Sequence, residues 1–256
     1  MTTSLVDYRA ADGAAWLTLD SPANRNALST VLVEQLHDGL SQAGADPDVR
    51  VVVLGHTGST FCAGADLGET AGADVGDTAV MRAREMTRLL RRILESPLPV
   101  IAAVDGHVRA GGLGLVGACD LAVAGPASTF ALTEARIGVA PSIISLTLLP
   151  KLTARAAARF FLTGEKFGAA VAAEIGLVTV AADDVSATVG DLVANIRKGS
   201  PQGLAASKAL TTAAILAEFD RSAEKLTRES AELFGSDEAR EGMLSFLEKR
   251  PPRWAV

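Results

Sequence analysis

The sequence predicts an α/β fold: a core of short buried strands and helices, closed by a mostly helical C-terminal part. Three observations carry this. The apolar runs AAWLTLD, VRVVVLG, VIAAV, DLAVAG and GLVTVAAD are each bounded by Gly, Pro or Asp, as strands buried on one or both faces are. Helical periodicities lie between them. Beyond residue 141 the pattern becomes mostly helical.

Taken in order, Ser29 caps a helix whose Leu32, Leu36 and Leu40 recur on one face, and Ala83, Met86, Leu90 and Ile93 mark a second helix that ends before SPLP. Thr153 precedes the helical stretch ARAAARFFL, Pro201 opens a helix containing Lys208, and Ser236 precedes DEAREGMLSFLEKR. Gly164 and Gly176 are placed as helix stops. Strand, glycine-rich turn and short helix recur near residues 51–67 and 100–118, which suits stacked ββα turns. Without a low-complexity linker, the chain reads as a packed core over residues 1–200 with a helical extension over 201–256.

The 256 residues are 48% hydrophobic and 21% charged, an ordinary globular composition. Lys and Arg total 24 against 30 Asp and Glu, a formal charge of -6 that disfavours nucleic acid and anionic membranes as partners. Cys62 and Cys119 have no CxxC spacing, so buried free thiols are expected, without disulfide or zinc. The N-terminus lacks a basic-then-apolar leader, and no apolar run approaches the length of a membrane span, so a cytoplasmic protein is expected.

GGLGLVG contains Gly112-x-Gly114-x-x-Gly117 after the strand-like VIAAV, which raises the question of a dinucleotide loop. The context fails: DGHVRA separates the strand from the glycines, the helix has room only from about Gly112 to Cys119, and the next strand ends in Ala124-Gly125-Pro126 with no acid. Glycines that open a short helix have another use, letting backbone N–H groups approach a developing oxyanion. FCAGADL, residues 61–67, offers a second such turn around Gly64. Removing one donor of an oxyanion hole typically costs about 3 to 4 kcal/mol of barrier.

Together, PANRNALS (22–29), TFCAGADL (60–67), PVIAAVDGHVRAGGLGLVGACDLAVA (99–124), STFALTEARIGVAP (128–141) and FGSDEAREGMLSFLEKR (234–250) resemble the crotonase superfamily, the enoyl-CoA hydratase and isomerase family. The resemblance implies a crotonase-type ββα spiral core, with the C-terminal extension serving trimerisation and active-site cover, in homotrimers or homohexamers. It implies an acyl-CoA thioester as substrate, with no separate cofactor and no metal. By the same resemblance the thioester oxyanion hole falls on the N–H groups of Ala65 and Gly111, beside Gly112. Ala63, Asp66, Leu67 and the Asn26-Ala27-Leu28 turn would run along the CoA adenine and pantetheine, and Lys249 would approach the CoA phosphates.

Hydratases of this family typically carry two glutamates. The first position is Gly114 here and the second is Glu134. Flanked by Phe130, Leu132 and Ile137, Glu134 should be pushed upward in pKa by desolvation, and position 114 should face the same pocket. Arg109 is a candidate for gripping the distal carboxylate of a dicarboxylic acyl group, or for a surface or intersubunit salt bridge; His107 is read as a loop histidine, His56 and Asp105 as structural. Three functions stand open: hydration of a 2-enoyl-CoA in the style of the methylglutaconyl-CoA hydratase-like branch, Δ3,Δ2-enoyl-CoA isomerisation, and catalytically silent acyl-CoA binding.

Overall fold

The computed structural model describes residues 4–66, 68, 69 and 75–255. Its first strands, β1 (Val6–Ala11) and β2 (Ala14–Leu19), form an antiparallel hairpin. Helix α1 (Thr30–Ala45) follows, capped as expected by Ser29, whose Oγ accepts the Leu32 N–H at 3.3 Å; Leu32, Leu36 and Leu40 are buried. Then come β3 (Val51–His56), β4 (Thr60–Cys62) and α2 (Val75–Glu95); β5 (Val100–Val104), β6 (His107–Arg109) and α3 (Gly111–Ala118); and β7 (Leu121–Ala124) and β8 (Thr129–Ala131). A 3-10 turn over Glu134–Ile137 leads to α4 (Ser142–Leu148), α5 (Ala154–Thr163), β9 (Phe167–Gly168), α6 (Ala169–Glu174), β10 (Val180–Ala181), α7 (Val185–Ile196), α8 (Pro201–Phe234) and α9 (Asp237–Leu247).

The strands sort into a larger sheet of order β1-β2-β3-β5-β7-β10 and a smaller one of order β4-β6-β8-β9. The middle passes of the chain give one strand to each sheet and then a helical segment, so β3-β4-α2 and β5-β6-α3 repeat one unit. The unit recurs a third time in β7-β8 with the 3-10 turn and α4. From β2 to β10 the large sheet is parallel, and it is covered on both faces. Val52, Leu54, Val100 and Ala102 face the main core, while Val51, Val53, Ile101 and Val123 meet Val189 and Val193 of α7. That double burial accounts for the unbroken apolar runs VVVL and VIAAV.

GLVTVAAD is a shorter strand than its composition suggests. Only Val180 and Ala181 pair with β7; Leu177 and Val178 enter the core directly after α6, and Thr179 Oγ1 accepts the Ala122 N–H at 3.0 Å. The caps at Thr153 and Ser236 and the left-handed stop at Gly164 fall where the sequence places them.

Helix α8 starts at Pro201 behind its cap Ser200 and buries Ile215 and Phe219. Lys208 ties it to the core: its amine donates to Ile93 O (2.8 Å) and Leu98 O (3.0 Å) and pairs with Asp120 Oδ2 at 2.8 Å, which also accepts the Val100 N–H. Cys62 and Cys119 are buried free thiols, each pushed up to about 12 by burial. Among the described residues no helix is long and apolar enough to cross a membrane.

Candidate active site

Strands β4, β6 and β8 are adjacent and parallel, with Cys62 opposite Val108 and Arg109 opposite Ala131. Their C-terminal ends therefore release three segments from one edge of the small sheet: Ala63-Gly64-Ala65, Ala110-Gly111 and Leu132-Thr133-Glu134. The crevice beyond the carboxyl ends of parallel strands is where such folds bind ligands.

The first two segments touch. Gly64 sits at φ +93°, and a Cβ there would lie 2.8 Å from Ala110 Cβ and 3.4 Å from Gly111 N, so only glycine allows this approach. Ala110 is held at φ 46°, ψ -120°, a region that costs a non-glycine residue about 1–3 kcal/mol and is found mostly where function requires it. This turn makes Gly111 the first residue of α3, whose N–H has no intrahelical acceptor. Ala65 bridges Leu28 through the bonds Leu28 N–H to Gly64 O (2.8 Å) and Asp66 N–H to Leu28 O (3.4 Å), which leave the Ala65 N–H unused. Two backbone donors with no acceptor among the described residues thus stand on two touching turns.

Glu134 leaves the third strand and opens the 3-10 turn. It is 7% exposed, and its Oε2 is buried without a hydrogen-bond partner among the described residues. Desolvation raises its pKa to about 7, against a smaller opposing pull from its own backbone N–H. Helix α9 covers this turn from outside: Gly242 packs directly on the Ile137 backbone, and Gly138, at φ +77°, abuts Glu238.

Position 114 lies on the same wall as Gly111, with its side-chain room already taken. A Cβ on Gly114 would lie 2.5 Å from Ile144 Cγ2, 3.1 Å from Ile144 Cβ and 3.2 Å from Met86 Cε. The space before Gly114 is filled by hydrocarbon from α4 and α2 and has no room for a carboxylate. The same Met86 Cε lies 3.5 Å, and Leu28 Cδ1 2.9 Å, from where a Cβ on Gly111 would stand, so Leu28, Met86 and Ile144 form one apolar wall along the start of α3.

Several of the other candidates also hold the fold together. Asn26 is fully buried; its Oδ1 accepts the Ser21 N–H, and its Nδ2 donates to Thr57 O and Thr60 O, so its side chain braces the turn. Ala27 is buried beside it. Gly112 is also buried, with the Cβ and O of Cys62 each 2.8 Å from where its Cβ would be; close packing under β4 explains this glycine. Arg109 donates from its guanidinium to Val108 O, Thr129 O and Thr129 Oγ1 at 2.6–2.9 Å and, among the described residues, pairs with no carboxylate.

Leu28 does reach the Gly111 turn. Ala63 is half-buried, its N–H donating to Arg25 O at 3.1 Å, and Asp66 accepts from Asn24 Nδ2 and from the Gly68 N–H. Lys249 is exposed just past α9. Leu67 lies outside the described residues. His56 Nε2 accepts the Asp105 N–H, and Asp105 accepts the Ala127 N–H, both structural as expected; exposed His107 pairs with Thr129 Oγ1.

Glu134 and the Ala65 and Gly111 turns stand out in the sequence, whereas Met86 and Ile144, which meet the start of α3, do not. Their periodic apolar positions mark them as core, and no local signal tells which glycine they meet.

A mixed α/β spiral that brings two free backbone donors and one buried, unpaired carboxyl to a single strand edge defines a class of enzyme, and comparison with known proteins names it. Residues 9–256 match the model of the enoyl-CoA hydratase/isomerase family, and the chain belongs to that family. It is similar to the crystal structure of an enoyl-CoA hydratase from Mycobacterium avium, with 67% identity, a TM-score of 0.93 and coverage of 99% of this chain and 100% of that one. A Rhodobacter capsulatus protein named "Probable enoyl-CoA hydratase" is 33% identical over 257 residues, 99% of each chain. A Bacillus subtilis protein of the same printed name is 31% identical over 244 residues, 94% of each. The chain is an enzyme of the hydratase or isomerase type.

Proposed function

We propose that this enzyme holds the thioester oxygen of an enoyl-CoA between the Ala65 and Gly111 N–H groups and moves protons with Glu134 as the sole carboxyl. The single observation that carries this reading is the orphaned, buried Glu134 Oε2: a carboxyl held near 7 without a partner is ready both to take and to give a proton near neutral pH.

In hydration, the Glu134 carboxylate takes a proton from water as the oxygen bonds to C3 of a 2-enoyl thioester. The C2=C3 electron pair shifts to give an enolate whose oxygen the two N–H groups stabilise. The protonated Glu134 then delivers its proton to C2, and the thioester carbonyl re-forms. One water is added, and the carboxylate returns to its starting state. A second reading, isomerisation of a 3-enoyl-CoA, is favoured by the hydrocarbon in front of Gly114, because one carboxyl suffices for a proton shift along the chain. Leu28, Ala63 and Asp66 would line the CoA path, with Lys249 at its phosphates, in a trimer or hexamer; the thioester is the substrate, and the scheme needs no further cofactor.

The test is incubation of the purified protein with crotonyl-CoA, a 3-enoyl-CoA and 3-methylglutaconyl-CoA while the absorbance of the conjugated thioester is followed. Loss with the first or third supports hydration, and gain with the second supports isomerisation. No change with any of them would sink the catalytic reading in favour of silent acyl-CoA binding.

A further inference from the structure

The apolar wall beside α3 raises the question of what decides between adding water and shifting a proton. We propose that Ile144 is the specificity-determining residue of this site: seated against Gly114, it keeps water and any second acid off the α3 wall, so that Glu134 works alone and the proton shift prevails. This rests on the catalytic reading above and deepens it.

The argument begins with glycine. A helix interior disfavours glycine relative to alanine, yet α3, of eight residues, carries glycine at 112, 114 and 117. At 114 the reason is Ile144, whose Cγ2 and Cβ occupy the room that a side chain would need. Ile144 is buried, β-branched and fixed on α4, so it has little freedom to swing aside, whereas Met86 is unbranched and adaptable. Chain order adds a second point. Glu134 and Ile144 stand on successive segments, the 3-10 turn and α4, so the passage that delivers the carboxyl also delivers the plug.

An ordered water needs two to four polar partners, and Leu28, Met86 and Ile144 offer none from their side chains. With water disfavoured there, the balanced alternative is a 1,3-shift. The Glu134 carboxylate takes a C2 proton from a 3-enoyl thioester, and the C–H pair becomes part of a dienolate held at its oxygen. The protonated Glu134 then returns that proton to C4, so that C3=C4 becomes C2=C3. No atom is gained or lost.

The experiment measures the ratio of crotonyl-CoA hydration to 3-enoyl-CoA isomerisation in wild type, Ile144→Ala and the milder Ile144→Val. The expected result is a rise of about tenfold in Ile144→Ala, with Ile144→Val between; an unchanged ratio in both folded variants overturns the proposal. A stability cycle reads the contact without any substrate. Gly114→Ala should lower the melting temperature when Ile144 is present and raise it when Ile144→Ala has made room, whereas a rise in both backgrounds would show that Ile144 does not exclude side chains there. Gly114→Glu alone should gain no hydration, while Gly114→Glu with Ile144→Ala should gain it; equal gains also overturn the idea. A wild type inert toward all the esters would instead overturn the catalytic reading and the reaction choice with it, with the stability cycle still reporting on the contact.

Discussion

Two glutamates are almost equally hidden, yet they live in opposite electrostatic conditions. Glu134 is 7% exposed and Glu241 8%, and they sit on the 3-10 turn and the helix that pack against each other. Glu241 is gripped through both oxygens by the Arg250 fork, at 2.7 and 3.0 Å, and accepts the Arg253 N–H at 3.0 Å; these bonds, the Arg250 pair first, hold it down to about 2. Among the described residues Glu134 has no such cation and its Oε2 no partner, and burial lifts it to about 7. Burial alone therefore does not mark a reactive carboxyl. The presence or absence of a fitted donor decides whether a buried acid is a clasp or a proton carrier.

The largest expected effect tests the carrier. Glu134→Gln keeps the shape and removes the charge, so turnover should fall by about 10² to 10⁴ with acyl-CoA affinity changed by only a few fold. In wild type, kcat/KM should rise with pH through about 7 as the carboxylate forms. Stability carries the same signature. The folded pKa lies above the ordinary value of 4.5, so the native state is most favoured below about 4.5 and loses stability as pH rises toward about 7, by roughly 3 kcal/mol for such a shift. Urea unfolding at pH 4 and pH 8 should show the Gln variant losing less stability than wild type; parallel losses would break the contrast with Glu241.

Next in size is the donor opposite. Gly111→Pro removes one N–H at the first helical position, while crowding Leu28 Cδ1, and should cost about 10² to 10³ in turnover in a variant whose circular dichroism shows an intact fold. Full activity would remove Gly111 from the oxyanion pair.

Glu241→Gln should leave the turnover of the folded enzyme within a few fold and lower the melting temperature at pH 7. Because its folded pKa is depressed, the stability it contributes is present above about 4.5 and is lost as pH falls toward about 2. The gap in melting temperature between variant and wild type should therefore narrow as pH drops below 4.5. A gap that widened there would mean that the clasp is not electrostatic.

The smallest effect concerns selectivity. Arg109 resembles Glu241 in having its polar atoms spent inside the fold, on Val108 and Thr129. Arg109→Ala should cost about 1–2 kcal/mol of stability through lost hydrogen bonds, yet raise the Michaelis constants for an acidic and a neutral acyl-CoA alike. A selective rise for the acidic ester would return Arg109 to the binding site.

By itself the sequence determined what depends on near neighbours. Ser29, Thr153 and Ser236 cap helices because a hydroxyl three residues upstream of an N–H needs nothing else to find it. The runs VVVL and VIAAV declare strands buried on one or both faces, and the motifs around Gly64, Gly111 and Glu134 are legible because each is a short contiguous segment. Tertiary structure decided what depends on segments far apart in the chain. Ile144 meets Gly114 only because α4 packs on α3, Asn26 is consumed by the carbonyls of Thr57 and Thr60, and Arg109 is captured by Thr129 on the neighbouring strand. Glu134 is left without a cation while Glu241 receives one. Each of these outcomes turns on distances of a few ångströms between packed side chains, and local periodicity carries no record of which partner will fill a space or satisfy a charge.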